Sequence, residues 1–406
     1  MKLQTVIHRK NIIYFTVGLA MLTIMGILGV DTYLPSIPDI AKEFEKNVST
    51  TQLSIMVYTL CIGFGQLIFG PLSDAIGRRK IMLTGAVIYG VTTYCLTLST
   101  DLVMFLAIRV IQGLSISITL VTAISAVRDV TRGSVAATLY AIIITIEGVV
   151  PIASPLLGGV INDLWGWRAI FLMICGYAII TLIFVYFNFP ETLSHERRVA
   201  YSLKSSFNTY KEISKQPRFY LPCLSLGLSF SLIYCYVTAS PFIFMVTFGY
   251  SSTQFGVLSS IIGGFLLLGA ALSGKLLKKR SAPQILNSWL KIIASFIVLC
   301  IPLIILSYHV NIFIFFFIIL MFAGGMFESL YTYLTMSSQR TNLGATSALM
   351  GAASLVIPSV IGGVGSFLIE LNTSIWMMYL LLIILIMIYM LRKVRISRSF
   401  LPKLTR

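Results

Sequence analysis

The chain has 406 residues, 57% hydrophobic and only 11% charged, with a formal net charge of +16 and a mean hydropathy of +0.92. A water-soluble domain carries roughly 25% charged residues and keeps a polar skin, so this composition excludes a soluble fold. Lipid is the solvent that tolerates so much apolar surface.

A spanning helix needs about 20 mostly apolar residues. Twelve such stretches follow along the chain, at 12–34, 52–72, 81–99, 103–126, 135–161, 169–189, 219–246, 253–274, 285–307, 312–336, 345–370 and 375–391. They are numbered helices 1 to 12 below. None shows the ~10-residue alternation of a transmembrane β-barrel. The expectation is an all-α membrane protein with twelve transmembrane helices. Helix 1 is longer than the 7–15-residue apolar core of a signal peptide and no A-x-A-like site ends it, so it is read as a span.

The basic residues sort by loop. Lys2, Arg9, Lys10, Arg78–Lys80, Arg128, Arg132, the 190–218 segment, Lys275–Arg280, Arg340 and the 392–406 tail fall on one side, against Lys42, Lys46 and Arg168 on the other. That is the positive-inside bias, and it places both termini in the cytoplasm. The charge excess is thus a topology signal and not a nucleic-acid footprint. The tail is a candidate for contact with anionic headgroups of membrane lipids.

Most loops are short, so neighbouring helices run antiparallel. Residues 190–218 are the exception: long, polar and basic. They divide an N-terminal bundle (1–189) from a C-terminal bundle (219–391), with a short interfacial helix expected at Leu203–Ile213 and a basic tail at 392–406. Gly133-Ser-Val-Ala-Ala-Thr and Gly344-Ala-Thr-Ser-Ala-Leu open helices 5 and 11, and both helices carry a proline followed by a glycine pair. The halves therefore read as two six-helix pseudo-symmetric bundles, a plan that puts a transporter's site between its halves near the midplane. Gly, Ala and Ser patterns also serve ordinary helix packing.

Between helices 2 and 3 lies Gly70-Pro-Leu-Ser-Asp-Ala-Ile-Gly-Arg-Arg-Lys80. Gly77 suits a tight turn, and Asp74 and Arg78 are spaced to pair on a helical turn. Asp74 also suits the N-terminal end of a neighbouring helix, while Arg79 and its neighbours anchor the segment at the headgroups.

This segment resembles the helix 2–3 signature of the major facilitator superfamily. Asp31-Thr-Tyr-Leu-Pro-Ser-Ile-Pro is similar to the first-helix motif of its drug:proton antiporters, Arg109-Val-Ile-Gln-Gly to its fourth-helix motif, and Gly148 to Gly159 to the fifth-helix motif associated with antiport. Trp167-Arg-Ala-Ile-Phe and Pro190-Glu-Thr-Leu also fit. The set most resembles the bicyclomycin/chloramphenicol-resistance branch. The motifs run from about residue 31 to 193, and the second half matches only in helix pattern and at Gly344–Ala348. The resemblance implies the major facilitator fold.

Ionisable residues inside spans are functional candidates by default. Asp31 sits toward the outer third of helix 1, before Pro35 and Pro38, each of which removes a backbone donor and favours a break. Burial disfavours the charged form of a carboxylate and a nearby cation favours it, so Asp31 is a proton-coupling and substrate-contact candidate; the bland alternative is a solvated helix-end carboxylate. Arg109 in helix 4 cannot realistically deprotonate. It either tunes Asp31 or Glu147 or holds polar backbone; the resemblance implies a coupling role. Glu147, deep in helix 5, lies outside the family pattern. It reads either as a second protonation site or as a neutral acid bonded to a neighbouring helix. Glu328 in helix 10 is a cavity candidate from the second half, and Lys291 is assigned no function. Asp129, beside Arg128, is expected in a gating or structural salt bridge.

Pro151, Pro155, Gly158 and Gly159 bend helix 5 and let another backbone close on it; the resemblance implies an outer seal, expected against helix 11. Tyr58, Tyr234, Tyr236, Phe242, Met245, Phe327 and Tyr331 complete the cavity candidates, since adaptable Met and aromatic linings suit a promiscuous apolar pocket. The six cysteines show neither zinc spacing nor a disulfide framework and read as packing residues. No P-loop is present, and His8, His195 and His309 lie near ends or loops without a catalytic set, so the chain reads as no enzyme and needs no cofactor beyond a proton gradient. The expected function is proton-coupled export of drug-like molecules by a monomer in a bacterial inner membrane. An exporter of an endogenous metabolite such as a siderophore or dipeptide, and a non-transporting receptor or scaffold, are the alternatives.

Overall fold

A computed structural model describes residues 9–130, 133–194, 196, 198, 202–306, 308–339 and 342–396. Among them every regular element is helical: α1 (Arg9–Asp31), α2 (Ile37–Glu43), α3 (Val48–Ile76), α4 (Arg78–Thr97), α5 (Leu102–Val130), α6 (Gly133–Trp165), α7 (Trp167–Asn188), α8 (Leu203–Ser214), α9 (Pro217–Pro241), α10 (Ser252–Leu277), α11 (Ala282–Leu306), α12 (Val310–Ser337), α13 (Leu343–Leu371) and α14 (Thr373–Ile396). Eleven segments of the described residues are long and apolar enough to cross a membrane. The 20-residue α4 is the predicted helix missing from that set; it opens on Arg78, Arg79 and Lys80 and carries several threonines and tyrosines, which lower its hydropathy. The short helix expected at Leu203–Ile213 is α8, whose one buried residue is Ile213.

Helix 1 is not one rod. It stops at Asp31, passes through a 3-10 turn at Leu34–Ser36, and resumes as α2. Pro35 and Pro38 account for this, because neither can donate a helical hydrogen bond. Tyr33, at φ −93° and ψ 0°, makes the bend, and its carbonyl accepts from the backbone N–H and hydroxyl of Ser36.

The chain forms two compact units: Met1–Lys204 with Tyr250–Ser260, and Ser205–Gly249 with Ile261–Arg406. In the first, α5 packs on α3 and α4, α4 on α7, and α1 on α6 and α7. In the second, α9 packs on α12, α13 and α14, and α11 on α12 and α14. Gly269 of α10 and Gly325 of α12 bring these two backbones together, each where a Cβ would strike the other helix's main chain. Alongside, the hydroxyls of Ser273 and Ser329 bond at 2.8 Å. After Pro241 the backbone loosens into a π-turn, Phe242–Thr247. All six cysteines are free thiols.

Candidate functional site

In the first unit, the end of α1 is held by side chains from three other helices. A helix leaves its last four carbonyls unpaired; that of Gly29 is one of these in α1, while those of Met25 and Gly26 lie further into the helix. Tyr58 of α3 donates to the Gly26 carbonyl at 3.1 Å, and Tyr89 of α4 donates to that of Met25 at 2.7 Å. Arg109 of α5 donates from Nη1 to the Gly29 carbonyl at 2.9 Å. The negative end of a helix dipole favours a cation there. Arg109 is fully buried, and Nη1 also bonds Oε1 of Gln112 at 2.7 Å. Gln112 in turn donates to Thr93 at 2.7 Å. The guanidinium lies 4.1 Å from the Tyr33 ring centre and 5.1 Å from those of Tyr58 and Phe171. Stacked rings of this kind suit arginine's planar, weakly hydrated charge.

Arg109 has no carboxylate within ion-pair distance among the described residues, and its Nε and Nη2 are buried without a hydrogen-bond partner there. Asp31 is half-buried, two residues past Gly29. Of the three coupling candidates, then, the structure brings Arg109 and Asp31 to one helix end. Glu147 lies on α6, and its side chain is outside the described residues.

The Gly70–Lys80 segment makes a charge chain. Gly77 turns between α3 and α4 at φ +111°, a conformation that disfavours any side chain. Arg78 pairs with Asp74 at 2.5 Å and, through Nε, with Asp129 at 2.9 Å. Asp129 therefore finds its partner on α4; the side chain of Arg128 lies outside the described residues. Glu191 accepts from the backbone N–H groups of Arg78 and Arg79 at 2.9 and 3.3 Å. A carboxylate at these positions satisfies the orphan donors that open α4.

At the opposite end, a Cβ on Gly158 would strike the Thr32 carbonyl, and one on Gly159 the Ser252 carbonyl. The fifth-helix glycines thus close on the break of helix 1 and on the first residues of α10. Asp163 caps that start, accepting from the N–H groups of Ser252 and Thr253 at 3.2 and 2.8 Å. Pro151 and Pro155 both lie inside α6.

The remaining cavity candidates lie in the second unit. Tyr236 packs at 5.0 Å from Phe317, within a ring cluster that includes Phe244 and the buried Trp376. Tyr234 sits beside Gly362. Phe242 and Met245 are half-buried in the π-turn, Phe327 and Tyr331 are buried, and Glu328 is half-buried.

Sequence reasoning missed Tyr33, Tyr89, Gln112, Glu191 and Asp163. Gln112 and Glu191 stood inside quoted motifs without a role, and Asp163 was marked only by lying at a helix end.

A bundle of long apolar helices, with a buried arginine set on a helix end and no carboxylate beside it among the described residues, is that of a multi-spanning membrane protein. A sequence profile described as Major Facilitator Superfamily matches residues 19–363. The chain belongs to the major facilitator superfamily. It is 31% identical over 366 residues to an uncharacterised transporter of this superfamily from Bacillus subtilis, YdgK, across 88% of each chain. A chloramphenicol resistance protein of Pseudomonas aeruginosa is 31% identical over 65% of this chain. A bicyclomycin resistance protein homolog of Haemophilus influenzae is 27% identical over 61%. The chain spans 62% and 63% of those two proteins' lengths. The fold is similar to that of a POT family transporter solved with 5-aminolevulinic acid, at TM-score 0.73 and 14% identity over 97% of each chain. A bacterial homolog of the lysosomal transporter Spinster gives 0.69 at 13% identity, over 97% of this chain and 96% of that one.

Proposed function

We propose that this chain exports lipophilic, drug-like molecules across a bacterial inner membrane in exchange for protons, by alternating access. The observation that carries the reading is the buried Arg109, with two donors that meet no hydrogen-bond partner among the described residues, at the end of the helix that finishes in Asp31. An ionised Asp31 is drawn to those donors; a protonated one is released, and the end of α1 is free to reorient. Relatives named for chloramphenicol and bicyclomycin resistance support the substrate class. Glu147 is a second proton carrier in this scheme, and Tyr58, Glu328 and the second unit's aromatics contact substrate. The chain acts as a monomer with both termini in the cytoplasm.

Reconstituted proteoliposomes test this. Chloramphenicol and a lipophilic cation are each offered against an imposed pH gradient. Gradient-driven uptake, with counterflow of protons, is expected in the native chain. Proton movement unchanged in both Asp31→Asn and Glu147→Gln rejects the coupling assignment; uptake indifferent to the gradient rejects antiport.

A further inference from the structure

A groove of about 570 Å³ runs between α4 and α7 in the first unit. Val87 on one wall and Ile183 on the other are exposed, and Phe187 is 77% exposed. Thr84 brings little polarity, since its hydroxyl bonds the Lys80 carbonyl at 3.0 Å. In a membrane protein such a wall meets acyl chains.

The mouth of the groove is cationic. Lys80 lines it and is exposed, and its ammonium has no carboxylate partner among the described residues. Arg79 shares the rim through Tyr186: Nη2 donates to the Tyr186 carbonyl at 2.6 Å, and the guanidinium lies 5.5 Å from that ring. Its Nε is buried and unpartnered among the described residues. The contrast with Arg78 is informative, because Asp74 and Asp129 flank that residue. Two cations whose side chains form no ion pair among the described residues therefore stand over an apolar channel that follows α4 from Lys80 to Ile88, about 12 Å at the rise of a helix.

We propose that this groove binds one anionic phospholipid, its phosphodiester on Lys80 and Arg79 and an acyl chain beside Val87 and Ile183. A zwitterionic lipid brings its own cation to the same rim, where it meets repulsion. A short-chain lipid leaves the channel empty. The bound lipid ties α4 to α7 at the end where Glu191 caps α4.

The full-length chain is purified in detergent and examined by native mass spectrometry with dioleoyl-phosphatidylglycerol, dioleoyl-phosphatidylcholine or dihexanoyl-phosphatidylglycerol. One dioleoyl-phosphatidylglycerol is expected to survive activation, several-fold better than either comparison lipid. Lys80→Gln is expected to remove the headgroup preference, and Val87→Trp or Ile183→Trp, both at exposed positions, to lower retention of every long-chain lipid. Equal retention of phosphatidylcholine overturns the headgroup assignment, and equal retention of the dihexanoyl lipid overturns the groove. Retention unchanged in all three variants places the lipid elsewhere and overturns both.

Discussion

Arg109 bonds the carbonyl of Gly29 across 80 residues of chain, and α1 ends two residues beyond that carbonyl. A charge buried without a carboxylate is costly, yet here a helix end, an amide and four aromatic rings share it. Such a residue is a poor choice for stability alone. Arg109→Met should therefore hold or raise the unfolding temperature in detergent while abolishing gradient-driven transport. Arg109→Lys keeps the charge but loses the planar fork, and its transport should fall at least about tenfold, a barrier change near 1.4 kcal/mol. Loss of stability matching loss of transport in Arg109→Met would make the arginine structural.

Glu191 is expected to behave as a helix cap. Glu191→Ala strips the acceptor from the Arg78 and Arg79 N–H groups and should cost about 0.5–2 kcal/mol, the usual range for losing an N-terminal cap. Glu191→Gln keeps an acceptor oxygen and should lose less. Thermal unfolding of the two variants gives the order; equal losses would show that charge, including the 3.9 Å pairing with Arg198, matters more than the hydrogen bonds.

Gly158 and Gly176 make a matched pair of tests. At Gly158 an added methyl meets the Thr32 main chain, which cannot swing away. Gly158→Ala should cost about 1–3 kcal/mol, as overpacking does, and impair transport. Gly176 has open space where its Cβ would stand. Gly176→Ala should be neutral or stabilise by up to about 1 kcal/mol, because a helical glycine gives up more backbone entropy. Similar losses at both sites would disprove close approach as the cause.

Arg168 should matter more than the acid it pairs with. It contacts Glu43 at 2.6 Å and also donates to the carbonyls of Thr97 and Ser99 at 3.0 and 3.1 Å. The half-exposed pair alone contributes about 0.2–1 kcal/mol. Arg168→Ala is expected to lower the unfolding temperature more than Glu43→Gln, and raised salt should narrow only the Glu43 part. Identical effects would reduce the cluster to a simple ion pair.

Hydropathy made the helices legible, because lipid imposes length and apolarity on each one separately. The break after Asp31 was legible too, since proline acts locally. Asp74 with Arg78 could be read from their spacing, being one turn apart. Glu191 could not: its partners are 112 and 113 residues away, and nothing local marks an acid as a cap for a distant helix. Tyr33 and Tyr89 were hidden differently, and Tyr58 was read only as a cavity candidate and not as a support for α1. The chain has 19 tyrosines, and only packing tells which hydroxyls bond α1, as those of Tyr58 and Tyr89 do, and which ring meets Arg109, as that of Tyr33 does. For the fifth-helix glycines, sequence announced a close approach and pointed to helix 11 for it, whereas the main chains that meet Gly158 and Gly159 are those of Thr32 and Ser252.

The setting of Arg109 also imposes an order on biogenesis. An arginine facing lipid costs up to about 3 kcal/mol to insert, the figure for a helix centre. Most of what shelters this one from other helices, the Gly29 carbonyl and the rings of Tyr33 and Tyr58, precedes it in the chain. By the time α5 leaves the ribosome, α1 and α3 are already in the bilayer to receive it. Among the described partners from other helices, Phe171 arrives afterwards, as α7 closes over the charge.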